Sequence, residues 1–103
     1  MYIASATAIS VLLFLFDNDK NLFLKSCTVN DISSGVSRDL GLVSDGAIRK
    51  ALDDMLAFKL VQLGLKLGHS YTYYISELGI EYLAQIQGKT VKELIKEHNT
   101  AKK

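Results

Sequence analysis

Hydrophobic and polar positions follow two different periods along this chain, and the changes of period divide it into six elements. Tyr2 to Phe16 carries no charge and ends in the run Val11-Leu12-Leu13-Phe14-Leu15-Phe16. Its length and its good helix formers predict a helix, and one that is apolar nearly all round is buried on more than one side. A rival reading makes Val11–Phe16 and Leu22–Lys25 two strands joined by the polar turn Asp17–Asn21, because short apolar runs fit either period. Further on, Val29, Ile32, Val36 and Leu40 recur every three or four residues. Thr28 is placed to cap that helix, Asp31 lies in its first turn, and Gly41 stops it. Ser44 caps the next helix, which runs to Phe58 with Ile48, Leu52, Met55 and Leu56 as its apolar stripe. Gly46, Arg49, Lys50 and Asp53 fall on the opposite face. Two short amphipathic helices separated by about three residues form a helix-turn-helix.

After Phe58 the period shortens. Leu60–Gly64 and Tyr71–Ser76 read as strands, with Tyr71, Tyr73 and Ile75 on one face and Thr72 and Tyr74 on the other. Lys66–Ser70 is the turn between them, and Gly68 supplies its tip. Ser76 then caps a helix carrying Leu78, Tyr82, Leu83 and Ile86, which Gly88 ends. Thr90 with Glu93 three residues later is a capping box for a last helix lined by Val91, Leu94, Ile95 and His98. The fold class is mainly α with a small β-hairpin (α+β). Residues 1–103 form one domain: an N-terminal helix and connection (1–27), a helix-turn-helix, hairpin and following helix (28–87), and a C-terminal amphipathic helix (88–103).

Composition narrows the chemistry. The 103 residues suit one domain, and 49% hydrophobic against 22% charged residues exclude intrinsic disorder. Twelve Lys and Arg against eleven Asp and Glu leave a net charge of +1, which excludes a strongly basic coat for nucleic acid and an acidic tail protein alike. The only cysteine is Cys27, so neither a disulfide framework nor a multi-cysteine metal site is expected, and a reducing cytoplasm fits. Asp17, Asn18, Asp19 and Lys20 end the first apolar stretch short of the roughly 20 residues that span a bilayer, so no membrane association is expected. There is no phosphate-cradling glycine loop, nucleophile elbow or zinc motif. Asp53 and Asp54 are helix neighbours and point in different directions. His98 has no ligand at matching spacing. The sequence therefore predicts no enzyme, no cofactor and no metal.

Three stretches resemble the winged helix-turn-helix transcriptional regulators of the MarR, PadR and ArsR kind. Leu40-Gly41-Leu42, Ser44 and Ile48-Arg49-Lys50-Ala51-Leu52 look like the turn and recognition helix. Met55, Leu56, Leu60 and Val61 resemble the passage into the first wing strand, with Lys59 where a Gly is usual. Tyr73-Tyr74-Ile75-Ser76-Glu77-Leu78-Gly79 and the residues to Leu83 are similar to the wing exit. The chain departs from the pattern in a turn one residue longer, at Leu42-Val43, and in a tip of Lys66-Leu67-Gly68-His69 that lacks the Asp-x-Arg pair of MarR wings.

The resemblance implies a sequence-specific double-stranded DNA-binding regulator, acting as a dimeric repressor that inserts the 44–58 helix in the major groove. Ser44, Gly46 and Ala47 stand where approach to bases is easiest. Arg49 can bond a guanine through two hydrogen bonds. Arg38, Lys50, Lys66 and His69 are placed for phosphates. The resemblance also implies a homodimer formed through the N- and C-terminal helices, with the recognition helices about 34 Å apart. Blander readings stand beside these. The first helix closes the protomer's core; Arg49 and Lys50 are a solvated face with an ion pair; Tyr71 and Tyr73 pack on the core and do not stack on bases. The near-neutral charge and Asp45, Asp53 and Asp54 fit a winged-helix assembly module without DNA. A small-molecule effector is neither indicated nor excluded.

Overall fold

In the computed structural model the described residues are 3–40 and 43–101, the side chains of 38–40 excepted. Gly41 and Leu42, where the sequence places the first helix stop and the lengthened turn, lie outside them. Helix α1 (Ala6–Asp17) is capped by Ser5, whose hydroxyl accepts from the Ala8 N–H at 3.2 Å. The rival strand reading fails, since Leu22 and Lys25 meet only in an isolated bridge. Val11, Leu12 and Leu15 have no exposed surface, and Ala8 and Phe16 are buried too. Around α1 pack α2 (Val29–Leu40), α3 (Asp45–Ala57) and α4 (Glu77–Ile86). The first helix thus closes the core of its own protomer, where each large apolar side chain contributes roughly 1.5–3 kcal/mol.

Against these helices packs a three-stranded antiparallel sheet of order β1-β3-β2, made of β1 (Cys27–Thr28), β2 (Val61–Leu63) and β3 (Thr72–Ile75), whose β3 touches α1 and α4, β1 touches α2 and β2 touches α3. The expected hairpin forms, pairing Val61 with Ile75 and Leu63 with Tyr73. Val61, Ile75 and Tyr73 are buried. Strand β1 adds Cys27 opposite Tyr73 and Thr28 opposite Thr72. The sequence does not announce it, because two residues are too few to show a period. Thr72 is buried on the face opposite Tyr73, yet its hydroxyl is satisfied: it donates to the Leu65 carbonyl and accepts from Ser26 Oγ.

Three helices end in the same hydrogen-bonded stop. After α3 the Lys59 N–H donates to the Leu56 carbonyl and the Leu60 N–H to that of Met55, at 3.1 and 2.9 Å. Asp19 and Lys20 close α1 in this way, and Gly88 and Lys89 close α4. The residue after each cap takes a positive φ of 58° at Asp19, 62° at Lys59 and 67° at Gly88. Only the third has the glycine that this conformation favours. Where resembling chains have Gly before Leu-Val, Lys59 adopts the glycine conformation with a side chain. Just beyond, Ser76 caps α4 by accepting from the Gly79 N–H at 3.1 Å while its own hydroxyl donates to the Lys59 carbonyl. The Ser76 N–H donates to the Leu60 carbonyl at 3.0 Å. Gly79 lies so close under that carbonyl that a Cβ there would stand 2.2 Å from its oxygen.

Helix α5 (Val91–Ala101) opens with the expected capping box: Thr90 N–H to Glu93 Oε1 and Glu93 N–H to Thr90 Oγ1, each at 3.1 Å. Its Leu94 is buried, and His98 sits 3.0 Å from Asp19 Oδ1 with its ring 4.8 Å from that of Phe16. Two substitutions test these joints in urea unfolding. Gly79→Ala should cost about 1–3 kcal/mol, because the neighbour that must yield is backbone. Lys59→Gly should stabilise by about 0.5–1 kcal/mol, the left-handed penalty less the added chain entropy.

Candidate nucleic-acid interface

Helix α3 is fixed by one face and bare on the other. Ile48, Ala51, Leu52 and Met55 are buried, whereas Ser44, Asp45, Gly46, Ala47, Arg49, Lys50, Asp53 and Asp54 are exposed. The Ser44 hydroxyl accepts from the Ala47 N–H at 3.2 Å, so it serves as the cap. Gly46 has open space around it, with only the Ser44 hydroxyl within 4.0 Å of a Cβ built there. Lys50 pairs with Asp54 one turn on, at 3.7 Å, not with the Asp53 expected from adjacency. Both side chains are more than half exposed, so the pair contributes little. The Arg38 side chain lies outside the described residues.

Arg49 faces the hairpin. Together with Thr28 and Asn30 at the start of α2 and with His69, Ser70 and Tyr71 of the hairpin, it lines a cleft of about 410 Å³. Two of the predicted residues, Arg49 and His69, are thereby brought to one place. Lys66 stays on the outer hairpin, where its ammonium lies 4.8 Å from the centre of the Tyr71 ring. That contact holds Tyr71 at the surface, 55% exposed, while Tyr73 is buried. The two tyrosines thus divide between the readings: Tyr73 belongs to the core, and Tyr71 offers an open ring beside a cation.

A second recess, of about 560 Å³, runs between α2 and the start of α3 and is lined by Asn30, Ser33, Ser34, Ser37, Val43, Ser44 and Asp45. Of these the sequence singles out Ser44 for DNA contact and passes over the residues of α2. Their signal was present as serines at positions 33, 34 and 37 on the polar side of an amphipathic helix. Hydroxyls and amides are neutral donors suited to phosphate oxygens, and the carboxylate of Asp45 at the rim opposes an anion there.

Burial raises the Tyr73 phenol above its ordinary range; the Asp53 carboxylate adds to this and Arg49 opposes it. Cys27, buried in β1, has its thiol pushed up to about 11, chiefly by desolvation, with Lys20 partly offsetting. It is a protonated core residue at neutral pH and carries no reactive thiolate. Among the described residues no group of His, Cys, Asp and Glu is arranged to hold a metal ion, and no helix is long and apolar enough to cross a membrane.

No protein-family model matches the chain. A search of curated proteins likewise finds no match. Solved structures do resemble it. TubR from Bacillus megaterium pBM400 superposes with a TM-score of 0.63 at 23% identity, over 80% of this chain and 84% of that one. The DNA-binding TubR fragment from Clostridium botulinum gives 0.59 at 27% identity, over 82% and 99%. A PadR family transcription regulator from Clostridium difficile gives 0.64 at 16% identity, over 96% and 100%. The chain has the winged helix-turn-helix fold, with the β2–β3 hairpin as its wing.

A raised thiol favours the folded state while the thiol is protonated, and that contribution is lost as pH rises from about 9 towards 11. Unfolding free energy should therefore fall across this window. Cys27→Ala should show a shallower fall than the unaltered chain when both are melted at pH 8, 9, 10 and 11.

Proposed function

We propose that this chain is a sequence-specific double-stranded DNA-binding transcriptional regulator, a dimeric repressor that acts in the cytoplasm by occupying its operator. One observation carries the reading: the outer face of α3 is bare from Ser44 to Lys50, beside a wing that turns His69 towards the same cleft as Arg49. The names of the structural neighbours support it, one being a DNA-binding fragment and another a transcription regulator. Small residues at Ser44, Gly46 and Ala47 let the start of α3 approach base edges, and Arg49 reads a guanine. Lys50 exchanges its weak pairing with Asp54 for a phosphate. Lys66 and His69 reach the backbone from the wing, and Arg38 from α2. Asp53 and Asp54 repel phosphates from the second half of the helix, so α3 enters the groove by its N-terminal half.

Between Lys25 and Ser70 six Lys or Arg stand against five Asp, which gives one module a shallow salt dependence and weak affinity. Two modules joined in a dimer share the ordering cost and bind far more tightly. With α1 inside the core, its own faces supply little of that contact, and the C-terminal helix, with Ile95 41% exposed, supplies more. The exposed acids of α3 favour one second reading, a winged-helix assembly module whose partner is a protein.

Mobility shifts on genomic fragments at low and moderate salt test the proposal; no shift up to micromolar protein would defeat it. Arg49→Ala should weaken binding to the preferred site by about 1–3 kcal/mol and relax its sequence preference. Lys50→Ala should weaken all sites alike and lower the salt slope by about one. Charge reversal of Arg49 and Lys50 together should abolish the shift. An assembly module would keep its protein partner through that change.

A further inference from the structure

Between α1 and β1 the chain turns through Leu22-Phe23-Leu24-Lys25, closed by the Lys25 N–H donating to the Leu22 carbonyl at 2.9 Å. The centre of such a turn ordinarily holds Gly, Asn, Asp, Ser or Pro. Here it holds Phe23 and Leu24, which are 52% and 77% exposed. The turn is tied down at its base: the Phe23 carbonyl accepts from the Leu65 N–H at 3.2 Å. Two large apolar side chains are therefore held out into solvent on a fixed support, against the transfer free energy that would bury them.

Directly beside this projection is a recess of about 630 Å³. Its walls are the turn itself, through Leu22 and Lys25, together with α4 and α5. Ile80, Val91 and Ile95 give it an apolar lining, and Glu77 and Glu81 stand along it. A knob with a lysine thus adjoins a hole with two carboxylates on one face of the protomer. Among the described residues no ion pair joins Lys25 to either glutamate.

We propose that this face is where two copies of the chain meet, Phe23 and Leu24 of each copy entering the α4–α5 recess of the other. The inference rests on the dimeric reading above and names the surface that makes the dimer. A two-fold contact requires projection and recess on the same patch, so that each copy gives what it receives. This patch meets that condition, and Lys25 of one copy then faces Glu77 and Glu81 of the partner subunit. Packing the two turns on each other instead would oppose two lysines and leave both recesses open.

Sedimentation velocity of the full chain across the micromolar range tests it. The unaltered chain should sediment as a dimer. Phe23→Ser with Leu24→Ser should sediment as a monomer with unchanged circular dichroism, both residues being outside the core, and should melt at a temperature that no longer depends on protein concentration. Lys25→Glu should weaken association by about tenfold or more, since like charges then face each other; adding Glu77→Lys and Glu81→Lys should restore it. A serine variant that still sediments as a dimer overturns this interface and leaves the dimeric reading standing. A monomeric unaltered chain defeats both. Co-sedimentation of that monomer with vesicles of anionic lipid, lost in the serine variant, would give the turn to a lipid surface and equally overturn the proposal.

Discussion

Burial of a helix with no polar face is the constraint from which the rest of the structure follows. Val11, Leu12 and Leu15 have no exposed surface, whereas Ile9, Leu13 and Phe14 keep part of theirs, so α2, α3 and α4 pack on the inner face of α1. Its neighbours are thereby oriented. Helix α3 turns Ile48, Leu52 and Met55 inward, and the opposite face, with Arg49 and Lys50, has no choice but to point out. At its other contacts α1 is locked as closely: the Phe14 ring lies where any side chain at position 35 would have to go. The N-terminal extension is joined to α4 through the Ala4 N–H, which donates to the Tyr82 hydroxyl at 2.9 Å. The direction in which α3 faces is thus set from the core and not by the charges on its surface.

Those charges are nearly balanced, and their arrangement matters more than their sum. Acids stand at both ends of α3, Asp45 in its first turn and Asp53 and Asp54 in its second half, whereas the wing segment from Lys59 to Ser76 contains Lys59, Lys66 and His69 and no Asp or Glu. Cationic potential is therefore drawn towards the wing side of Arg49 and away from the end of the helix. A molecule with a net charge of +1 still presents a directional field to a polyanion.

Local signals were the legible ones. Ser44, Ser76, Thr28 and the Thr90–Glu93 pair all act within three residues of themselves, and each caps where its spacing says it does. The apolar stripe of α3 likewise told which way Arg49 and Lys50 point. Signals that need two distant segments were not legible. Strand β1 exists only because Cys27 and Thr28 lie alongside β3, and the cleft joining Arg49 to His69 exists only after the hairpin has folded back. Asp19 escaped notice for a different reason: a left-handed helix stop is read from glycine, and at Lys59 only the glycine usual in resembling chains marked the place. The fate of α1 was open between two readings because an all-apolar helix fits a core and an interface equally well. Its contacts with three other helices place Val11, Leu12 and Leu15 in the core of the protomer.

The crossing at Leu60 carries one more meaning. Its carbonyl receives the Ser76 amide, its neighbour's carbonyl receives the Ser76 hydroxyl, and Gly79 is wedged beneath. Descending and returning hairpin strands and the first turn of α4 are thereby riveted together at one spot. The hairpin is clamped to α4 at its root, so any bending of the wing against the body has to take place beyond this joint, towards Gly68.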